Sequence, residues 1–347
     1  MSQNDSPGVV SQRYLVTGCA GFIGAKVAQL LLEAGGAVVG VDNLNDAYDP
    51  QLKHWRLQDL QRRPGFQFAR LDIADREGLQ GRFAADSEAA APAESRPYAA
   101  VINLAARAGV RASVEDPWVY YQTNVLGTLN LLEMCRRFGV QKFVLASTSS
   151  LYGAHNRLPY REDADTDRPL SPYAASKKAA ETLAYVYHRL HGLDVSVVRY
   201  FTVYGPAGRP DMSVFRFVRR IAEGEPITVY GDGSQDRDFT YVDDIARGTL
   251  AALKPLGFEI INLGSDRPVR LCALIDQIAQ LLACEPRIRY GPAHPADVPS
   301  TWADITKART LLGWMPRVTI DEGLRRTVEW YLENRRTART IALGSDA

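Results

Sequence analysis

Tyr173 and Lys177 have the residue types and the spacing of an acid–base pair. They follow Ser171 and Pro172, which suit the N-cap and the first position of a helix, and residues four apart share one helix face. A free phenol has a pKa near 10, and lowering it by about three units takes roughly 4 kcal/mol. A lysine ammonium about 5 Å away supplies about 3 kcal/mol at an effective dielectric near 20. If a positively charged cofactor supplies the rest, Tyr173 can act as a general base.

A glycine-rich turn upstream of this pair predicts a nucleotide site. Y-x-x-x-K could also be an ordinary pair on a helix surface, and the turn weighs against that interpretation. Residues 17–24 read TGCAGFIG between an apolar strand and a helix. Gly18 allows the tight turn, Gly21 lets the backbone approach a pyrophosphate, and Gly24 lets the helix pack on the sheet. Eighteen residues after Gly24 the next strand ends at Asp42, whose carboxylate can bind a ribose and would repel a 2′-phosphate. The sequence therefore predicts NAD as the cofactor rather than NADP.

Short β-branched runs alternate with helical patterns in the first two hundred residues. Such alternation predicts an α/β fold, a Rossmann doubly wound parallel sheet with a smaller C-terminal substrate-binding subdomain. The strands are short apolar runs, as expected where both faces of a parallel sheet are buried. The predicted strands are Arg13–Thr17, Ala37–Asp42, Phe66–Leu71, Ala100–Asn103, Phe143–Ala146 and Val195–Tyr200, and the predicted helices are Ile23–Ala34, Thr123–Phe138 and Ser171–Leu190.

The domain organisation follows from where this alternation stops. We assign residues 13–200 mainly to an NAD-binding domain and residues 201–333 to a substrate subdomain from which the chain crosses back to the sheet. Residues 82–97 are rich in Ala, Glu, Ser and Pro and are expected to form a surface loop. Residues 1–12 and 335–347 are expected to be flexible tails.

Composition excludes several other classes of protein. The 347 residues carry 41 Lys and Arg against 40 Asp and Glu, so a net charge of +1 favours neither a nucleic-acid nor a membrane partner. No apolar run is long enough to span a membrane, and the N-terminus is too polar for a signal peptide. Four scattered cysteines and five histidines without ligand spacing predict no metal site, no disulfides and a reducing cytoplasm.

Further motifs along nearly the whole chain, from about Tyr14 to Tyr331, resemble those of the extended short-chain dehydrogenase/reductases, in the NAD-dependent epimerase/dehydratase family. Within that family the chain is most similar to UDP-glucuronate 4-epimerases. The resemblance implies a UDP-sugar subdomain, NAD retained through the catalytic cycle, and a homodimer built on two helices per subunit. Besides the glycine turn and Y-x-x-x-K, the matching segments are NLAA at 103–106, ST at 147–148, YG at 152–153, RYFTVYGP at 199–206, RDFTYVDD at 237–244 and WAD at 302–304.

The resemblance also implies roles for individual residues. Thr148 is expected to hydrogen-bond the reacting C4 oxygen beside Tyr173. The implied cofactor site comprises Gly18, Gly21, Phe22, Ile23, Gly24, Asp42, Asn43, Asp72, Ile73, Leu104, Ala105, Ala106, Asn124, Lys177 and Tyr200. The implied substrate site comprises Arg111, Ser149, Ser150, Thr202, Arg209, Thr228, Tyr230, Arg237 and Asp297, with Arg237 at the UDP phosphates and residues 228–230 at the uracil.

One segment departs from the family pattern. His294 stands three residues before Asp297, at a position where the family often has an arginine. The resemblance therefore assigns no phosphate contact to residue 294.

The residues after Thr148 indicate which reaction follows the first hydride transfer. Family dehydratases resemble T-D-E at this point and decarboxylases T-S-E, whereas this chain has Thr148, Ser149 and Ser150 and no carboxyl group. Epimerisation at C4 is the minimal reaction that remains. Thr202 and Arg209 lie in a segment similar to the T-V-Y-G-P-x-x-R-P-D-M of UDP-glucuronate enzymes, and arginine suits a planar carboxylate.

Several alternatives remain open at this point. The two serines could cap a strand end, Arg209 could be a loop residue paired with Asp211, and Arg111 could be a solvated surface residue. The enzyme could instead be a UDP-glucuronate decarboxylase, or a 4-epimerase of UDP-glucose or UDP-N-acetylglucosamine. A regulator that binds NAD without turnover is disfavoured, because such proteins usually lose the Tyr or the Lys. The sequence predicts conversion of UDP-glucuronate to UDP-galacturonate through a 4-keto sugar.

Overall fold

The computed structural model describes residues 12–89, 96–293 and 297–344, and within them seven parallel strands form the central sheet. The strands of this sheet are β1 (Arg13–Thr17), β2 (Ala37–Asp42), β3 (Phe66–Arg70), β4 (Ala100–Asn103), β5 (Lys142–Thr148), β6 (Asp194–Tyr200) and β11 (Phe258–Leu263). Their order is β11-β6-β5-β4-β1-β2-β3, the doubly wound arrangement that the alternating pattern predicts.

Helices cover both faces of this sheet and continue into the C-terminal part. In the nucleotide-binding half they are α1 (Phe22–Glu33), α2 (Pro50–Gln61), α3 (Arg76–Glu88), α4 (Ala112–Glu115), α5 (Trp118–Tyr120), α6 (Gly127–Arg137) and α7 (Pro172–His191). A π-helical turn (Tyr121–Leu126) joins α5 to α6, and a 3₁₀ turn (Ser149–Tyr152) follows β5. The later helices are α8 (Ser213–Ala222), α9 (Val242–Ala251), α10 (Leu271–Leu282), α11 (Thr306–Leu312), α12 (Ile320–Glu333) and α13 (Arg335–Ala338).

The register of the sheet brings the ends of distant segments together. Thr17 pairs with Asn103, and Thr148 pairs with Tyr200. Because parallel strands present their carboxyl ends at one edge, the loops after β1, β2, β4, β5 and β6 converge there, and ligands of open α/β sheets bind outside that edge.

The C-terminal part has a hydrophobic core of its own. Buried side chains of α8, α10 and α12 form it, together with Leu52 of α2. Three short strand pairs surround it: β7 (Thr202–Tyr204) with β10 (Phe239–Tyr241), β9 (Asp236–Arg237) with β12 (Val269–Arg270), and β8 (Ile227–Tyr230) with β13 (Ile288–Gly291). Strand β11 then returns to the central sheet beside β6.

Two expectations about loops and tails are wrong. Residues 82–88 belong to helix α3 and are not part of a surface loop, while residues 90–95 lie outside the described residues. The segment from residue 335 to residue 344 is not a frayed tail, since α13 leads into Ile341 and Leu343, which are buried in the C-terminal core. Residues 1–11 and 345–347 lie outside the described residues.

Candidate active site

The glycine turn between β1 and α1 is packed too tightly for side chains. Gly18 has a φ of +68°, and a Cβ there would lie 2.7 Å from the backbone nitrogen of Ala105. A Cβ on Gly24 would overlap the carbonyl oxygen of Gly18. The turn therefore brings the end of β1 against the Leu104–Ala106 segment after β4, two of the segments expected to line the cofactor.

The N-terminus of α1 presents free backbone donors. Gly21 is the N-cap and supplies no side-chain bond, and the N–H groups of Phe22, Ile23 and Gly24 have no backbone partner among the described residues. Unpaired N–H groups at the positive end of a helix dipole bind anions. The turn therefore fits the pyrophosphate of a dinucleotide.

Acidic and amide groups lie beside this turn, at the ends of β2 and β3. Asp42 is buried, and its carboxylate accepts backbone N–H groups of Ala20 at 3.1 Å and Leu44 at 2.8 Å, which fix its orientation. Asn43 donates its amide to Asp72 at 2.7 Å, and Ile73 is buried next to this pair. This arrangement suits an adenosine, with a carboxylate at the ribose.

Two of the expected cofactor residues are engaged elsewhere through their side chains. The amide of Asn124, in the π-helical turn, bonds the backbone of Arg107 in both directions and donates to Ser176 of α7 at 2.9 Å. The hydroxyl of Tyr200 bonds Thr249 at 2.8 Å. Asn124 therefore fixes the loop after β4 against α7.

The structure places Tyr173 and Lys177 on the first turns of α7, where Ser171 caps the helix. Burial raises the pKa of Tyr173, while a hydrogen bond from Thr148 and the charge of Arg209 act in the opposite direction. The Lys177 ammonium donates to the carbonyl of Ala146 at 2.9 Å. The charge of Arg209 therefore favours ionised Tyr173, a contribution that the Y-x-x-x-K spacing did not predict.

Lys177 is also buried, with only 5% of its surface exposed to solvent. Burial lowers its pKa to about 8, and the charge of Glu181, one helical turn further on, works against that decrease. Glu181 is itself paired with Arg199 at 2.8 Å and accepts the hydroxyl of Ser147 at 2.5 Å. This buried pair anchors α7 to β5 and β6 beneath Tyr173 and Lys177.

A cavity of about 510 Å³ opens beside the segments that carry Thr148 and Tyr173, since Ser149, Ser150 and Ser171 line it, and its size suits a small-molecule ligand. Thr148 connects Tyr173 to this cavity, because its hydroxyl bonds Tyr173 on one side and lies 3.2 Å from the hydroxyl of Ser150. The predicted substrate residues that line this cavity are Arg111, Ser149, Ser150, Thr202, Thr228, Tyr230, Arg237 and Asp297.

Arg209 lies in a smaller adjoining cavity, which it shares with Thr202. Its Nε donates to Asp211 at 3.0 Å, and its Nη2 donates to Asp211 and to the carbonyl of Ala108. The Arg209–Asp211 pairing considered as an alternative is therefore present. Among the described residues Nη1 has no hydrogen-bond partner, so its two N–H groups are left for a ligand, while Nε and Nη2 are occupied.

Arg111 reaches across the cavity to the C-terminal part. Its guanidinium donates to Asp297 at 2.7 Å and lies 4.0 Å from the ring centre of Tyr230. It is therefore not a solvated surface residue. Arg237 lies on the same wall and donates to the carbonyl of Asp236 at 2.8 Å. His294 lies outside the described residues.

Sequence reasoning missed other residues around the cavity. Arg216 and Arg220 of α8 line it and, being four apart, share one helix face. Two arginines four residues apart, soon after the R-P-D-M segment, could have indicated these residues from the sequence. Tyr120 packs edge-on against Tyr173 with ring centres 6.1 Å apart, which no local pattern indicates.

Within the described residues no group of three His, Cys, Asp or Glu side chains could hold a metal ion, and no helix is long and apolar enough to cross a membrane.

A model of the NAD dependent epimerase/dehydratase family matches residues 14–264, which include the glycine turn, Thr148 and the Tyr173/Lys177 pair. The chain belongs to this family. The predicted family and the Rossmann fold are thereby confirmed. A relative from Thermodesulfobacterium geofontis, named UDP-glucuronate 4-epimerase, is 56% identical over 322 residues, which cover 92% of this chain and 96% of the relative.

Solved structures extend the likeness to the whole fold. A UDP-glucuronic acid 4-epimerase from Bacillus cereus, in complex with UDP-glucuronic acid and NAD, has a TM-score of 0.83 and 36% identity and covers 92% of this chain and 99% of its own. A UDP-glucose 4-epimerase from Thermotoga maritima, with UDP-glucose, has a TM-score of 0.83 and 33% identity and covers 93% and 99%. Since two sugars occur on this fold, the residues around the sugar must select between them.

Proposed function

We propose that this protein is an NAD-dependent 4-epimerase that interconverts UDP-glucuronate and UDP-galacturonate. The observation that carries the choice of an acidic sugar is the position of Arg209. Arg209 lines a small cavity with Thr202, which also lines the main cavity, and its charge acts on Tyr173, so a cation lies next to the reacting end of the site. The 56% identical relative named UDP-glucuronate 4-epimerase supports the same choice.

Bound NAD would supply the hydride acceptor and donor for oxidation and reduction at C4. The glycine turn and the free donors at the N-terminus of α1 would hold its pyrophosphate, and Asp42 would bind the adenosine ribose. Tyr173 would take the proton of the C4 hydroxyl and later return it, with Thr148 orienting the same oxygen. Lys177 would supply positive charge beneath this pair.

The residues next to Thr148 support epimerisation over dehydration. Ser149 and Ser150 line the cavity where a dehydratase would carry its acid and base. Hydroxyl groups can hold the sugar but cannot protonate a leaving hydroxide as a carboxylic acid can. The 4-keto sugar would therefore remain intact until hydride returns.

The carboxylate of the sugar must be restrained while the ring turns over. A 4-keto glucuronate is a β-keto acid, which loses CO₂ when its carboxylate aligns with the ketone π system. Arg209 through Nη1, Thr202 and one of the serines would hold the carboxylate out of that alignment. With UDP-glucose, Arg209 would keep its pair with Asp211, but its Nη1 would have no carboxylate to accept its N–H groups, which disfavours that substrate.

We also propose a homodimer. Exposed apolar side chains lie on α5 and the π-helical turn, and on α7, which pack against one another. They include Trp118, Tyr121, Leu126, Tyr185 and Leu190. Tyr121→Glu should convert a dimer into a monomer in analytical ultracentrifugation, whereas Tyr290→Glu, at an exposed tyrosine of β13, should not. An unchanged mass for Tyr121→Glu would contradict this interface.

The deciding experiment is incubation of the purified protein with UDP-glucuronate, UDP-glucose and UDP-N-acetylglucosamine, followed by NMR of the products. We expect UDP-galacturonate from UDP-glucuronate, little UDP-pentose, and poor conversion of the neutral sugars. CO₂ and a UDP-pentose as main products would identify a decarboxylase. Preferred turnover of a neutral sugar would identify the other class of epimerase.

A further inference from the structure

The loop between β2 and α2 reaches the arginine proposed to bind the sugar carboxylate. The ring of Tyr48 lies 5.7 Å from the Arg209 guanidinium carbon, measured to the ring centre, and 4.9 Å from the Lys53 ammonium. Tyr48 also packs on the C-terminal hydrophobic core, where Leu52 is buried. A loop of the nucleotide-binding half is therefore part of the substrate side of the cleft.

Arg56 ties this tyrosine to two functional loops. Its Nη1 donates to the Tyr48 hydroxyl at 2.9 Å and to the carbonyl of Ala20, in the glycine turn, at 3.1 Å. Its Nη2 donates to the carbonyl of Ala207 at 2.6 Å. Arg56 is 5% exposed and forms no ion pair with the described carboxylates, so carbonyl and phenol oxygens are what hold its charge in place.

The loop that Arg56 holds is the one that carries Arg209. Ala207 has a φ of +51°, a left-handed conformation that a residue with a side chain rarely adopts without support. The hydrogen bond from Arg56 to its carbonyl supplies that support two residues before Arg209. Displacing Arg56 would therefore allow this loop to relax and Arg209 to move.

The outer side of the Tyr48 loop is held by the C-terminal segment. Asp49 caps α2 through Gln51 and also accepts the backbone N–H of Ala342 at 2.7 Å. Ile341 beside it is buried in the C-terminal core. Tyr48 is thus fixed from both sides.

We propose that Tyr48, braced by Arg56, is a positioning residue for Arg209 and thereby a determinant of selectivity for acidic sugars. This inference rests on the proposed function. Asp211 and the Ala108 carbonyl occupy Nε and Nη2 of Arg209, and the Tyr48 ring attracts the guanidinium from a further direction. Together they leave Nη1 as the donor for the sugar carboxylate.

The test compares Tyr48→Ala, Tyr48→Phe and Trp55→Ala in the NAD-loaded enzyme. Trp55 is the matched control, because it lies on α2, just after the Tyr48 loop, and its ring packs on that of Trp330 with centres 5.7 Å apart. The readout is the ratio of kcat/KM for UDP-glucuronate to that for UDP-glucose. We expect Tyr48→Ala to lower it about 10-fold, equivalent to about 1.4 kcal/mol, and to increase the share of pentose product. Tyr48→Phe keeps the ring but loses the hydrogen bond from Arg56, so its ratio should fall between those of Tyr48→Ala and the wild type.

An unchanged ratio in Tyr48→Ala, or an equal loss in Trp55→Ala, would overturn the inference. The wild-type ratio tests the proposed function separately. If the wild type prefers UDP-glucose, the proposed function is wrong. Amide hydrogen exchange in residues 205–211 then tests separately whether Tyr48 and Arg56 hold this loop in place. Exchange there should accelerate in Tyr48→Ala and remain at the wild-type rate in Trp55→Ala.

Discussion

Replacing Lys177 by methionine should stabilise the NAD-free protein while abolishing its chemistry. Lys177 is 5% exposed, and burial lowers its pKa from 10.5 to about 8. At pH 7 the folded and unfolded states both hold the proton, so the folded state bears a cost of about 3 kcal/mol. Methionine has a similar shape and no charge. Losing the bond to the Ala146 carbonyl costs about 1 kcal/mol, which leaves a net gain of about 2 kcal/mol.

The pH dependence makes this prediction specific. A lysine whose pKa is depressed in the folded state is least tolerated at low pH, and its penalty disappears as pH rises from about 8 to 10.5, where only the unfolded state still binds the proton. The advantage of Lys177→Met should therefore shrink by about 2 kcal/mol between pH 7 and pH 9.5.

Urea unfolding of nucleotide-stripped wild type and Lys177→Met at both pH values measures this difference. Lys178→Met is the control, because that ammonium pairs with Asp167 at 3.2 Å on the outer face of the same helix. The reasoning is refuted if Lys177→Met is less stable than wild type at pH 7, or if its stability relative to wild type does not change with pH.

Three further outcomes are expected. NAD should copurify, because hydride is returned in each cycle; heat release and mass spectrometry identify it, and recovery of NADP or failure to bind added NAD would contradict the assignment. Tyr173→Phe should lower turnover at least about 10²-fold with an unchanged melting temperature, and near wild-type turnover would disprove Tyr173 as the base. Arg209→Ala should lose most turnover of UDP-glucuronate and release a larger share of pentose by NMR, and unaffected turnover would exclude a carboxylate contact.

The nucleotide half was predictable because its signals are local. Gly18 is needed for its φ of +68° and Gly24 for its contact with the Gly18 carbonyl, so both requirements arise within one turn and their spacing indicates them. Asp42 ends its strand where the pattern predicts, and the run from Ser171 to Lys177 encodes both the helix start and the relative position of the pair.

Segments whose burial depends on distant partners were mispredicted. The polar composition of residues 82–88 resembles a loop, yet Phe83 is buried in the core and Asp86 pairs with Arg13 of β1 at 2.8 Å. The segment around Ile341 has no helical or strand pattern of apolar residues. Ile341 belongs to a core only because it packs with buried side chains of the C-terminal part.

The sequence by itself thus determined the sheet, the dinucleotide turn and the identity of the Tyr/Lys pair, because each depends on residues only a few positions apart. Tertiary structure decided the electrostatics around that pair. Arg209 lies close enough for its charge to favour ionised Tyr173, and its guanidinium is shared with Asp211. The brace from Arg56 to Ala207 joins residues 151 positions apart. Such contacts depend on how two cores pack across a cleft, which no periodicity along the chain records.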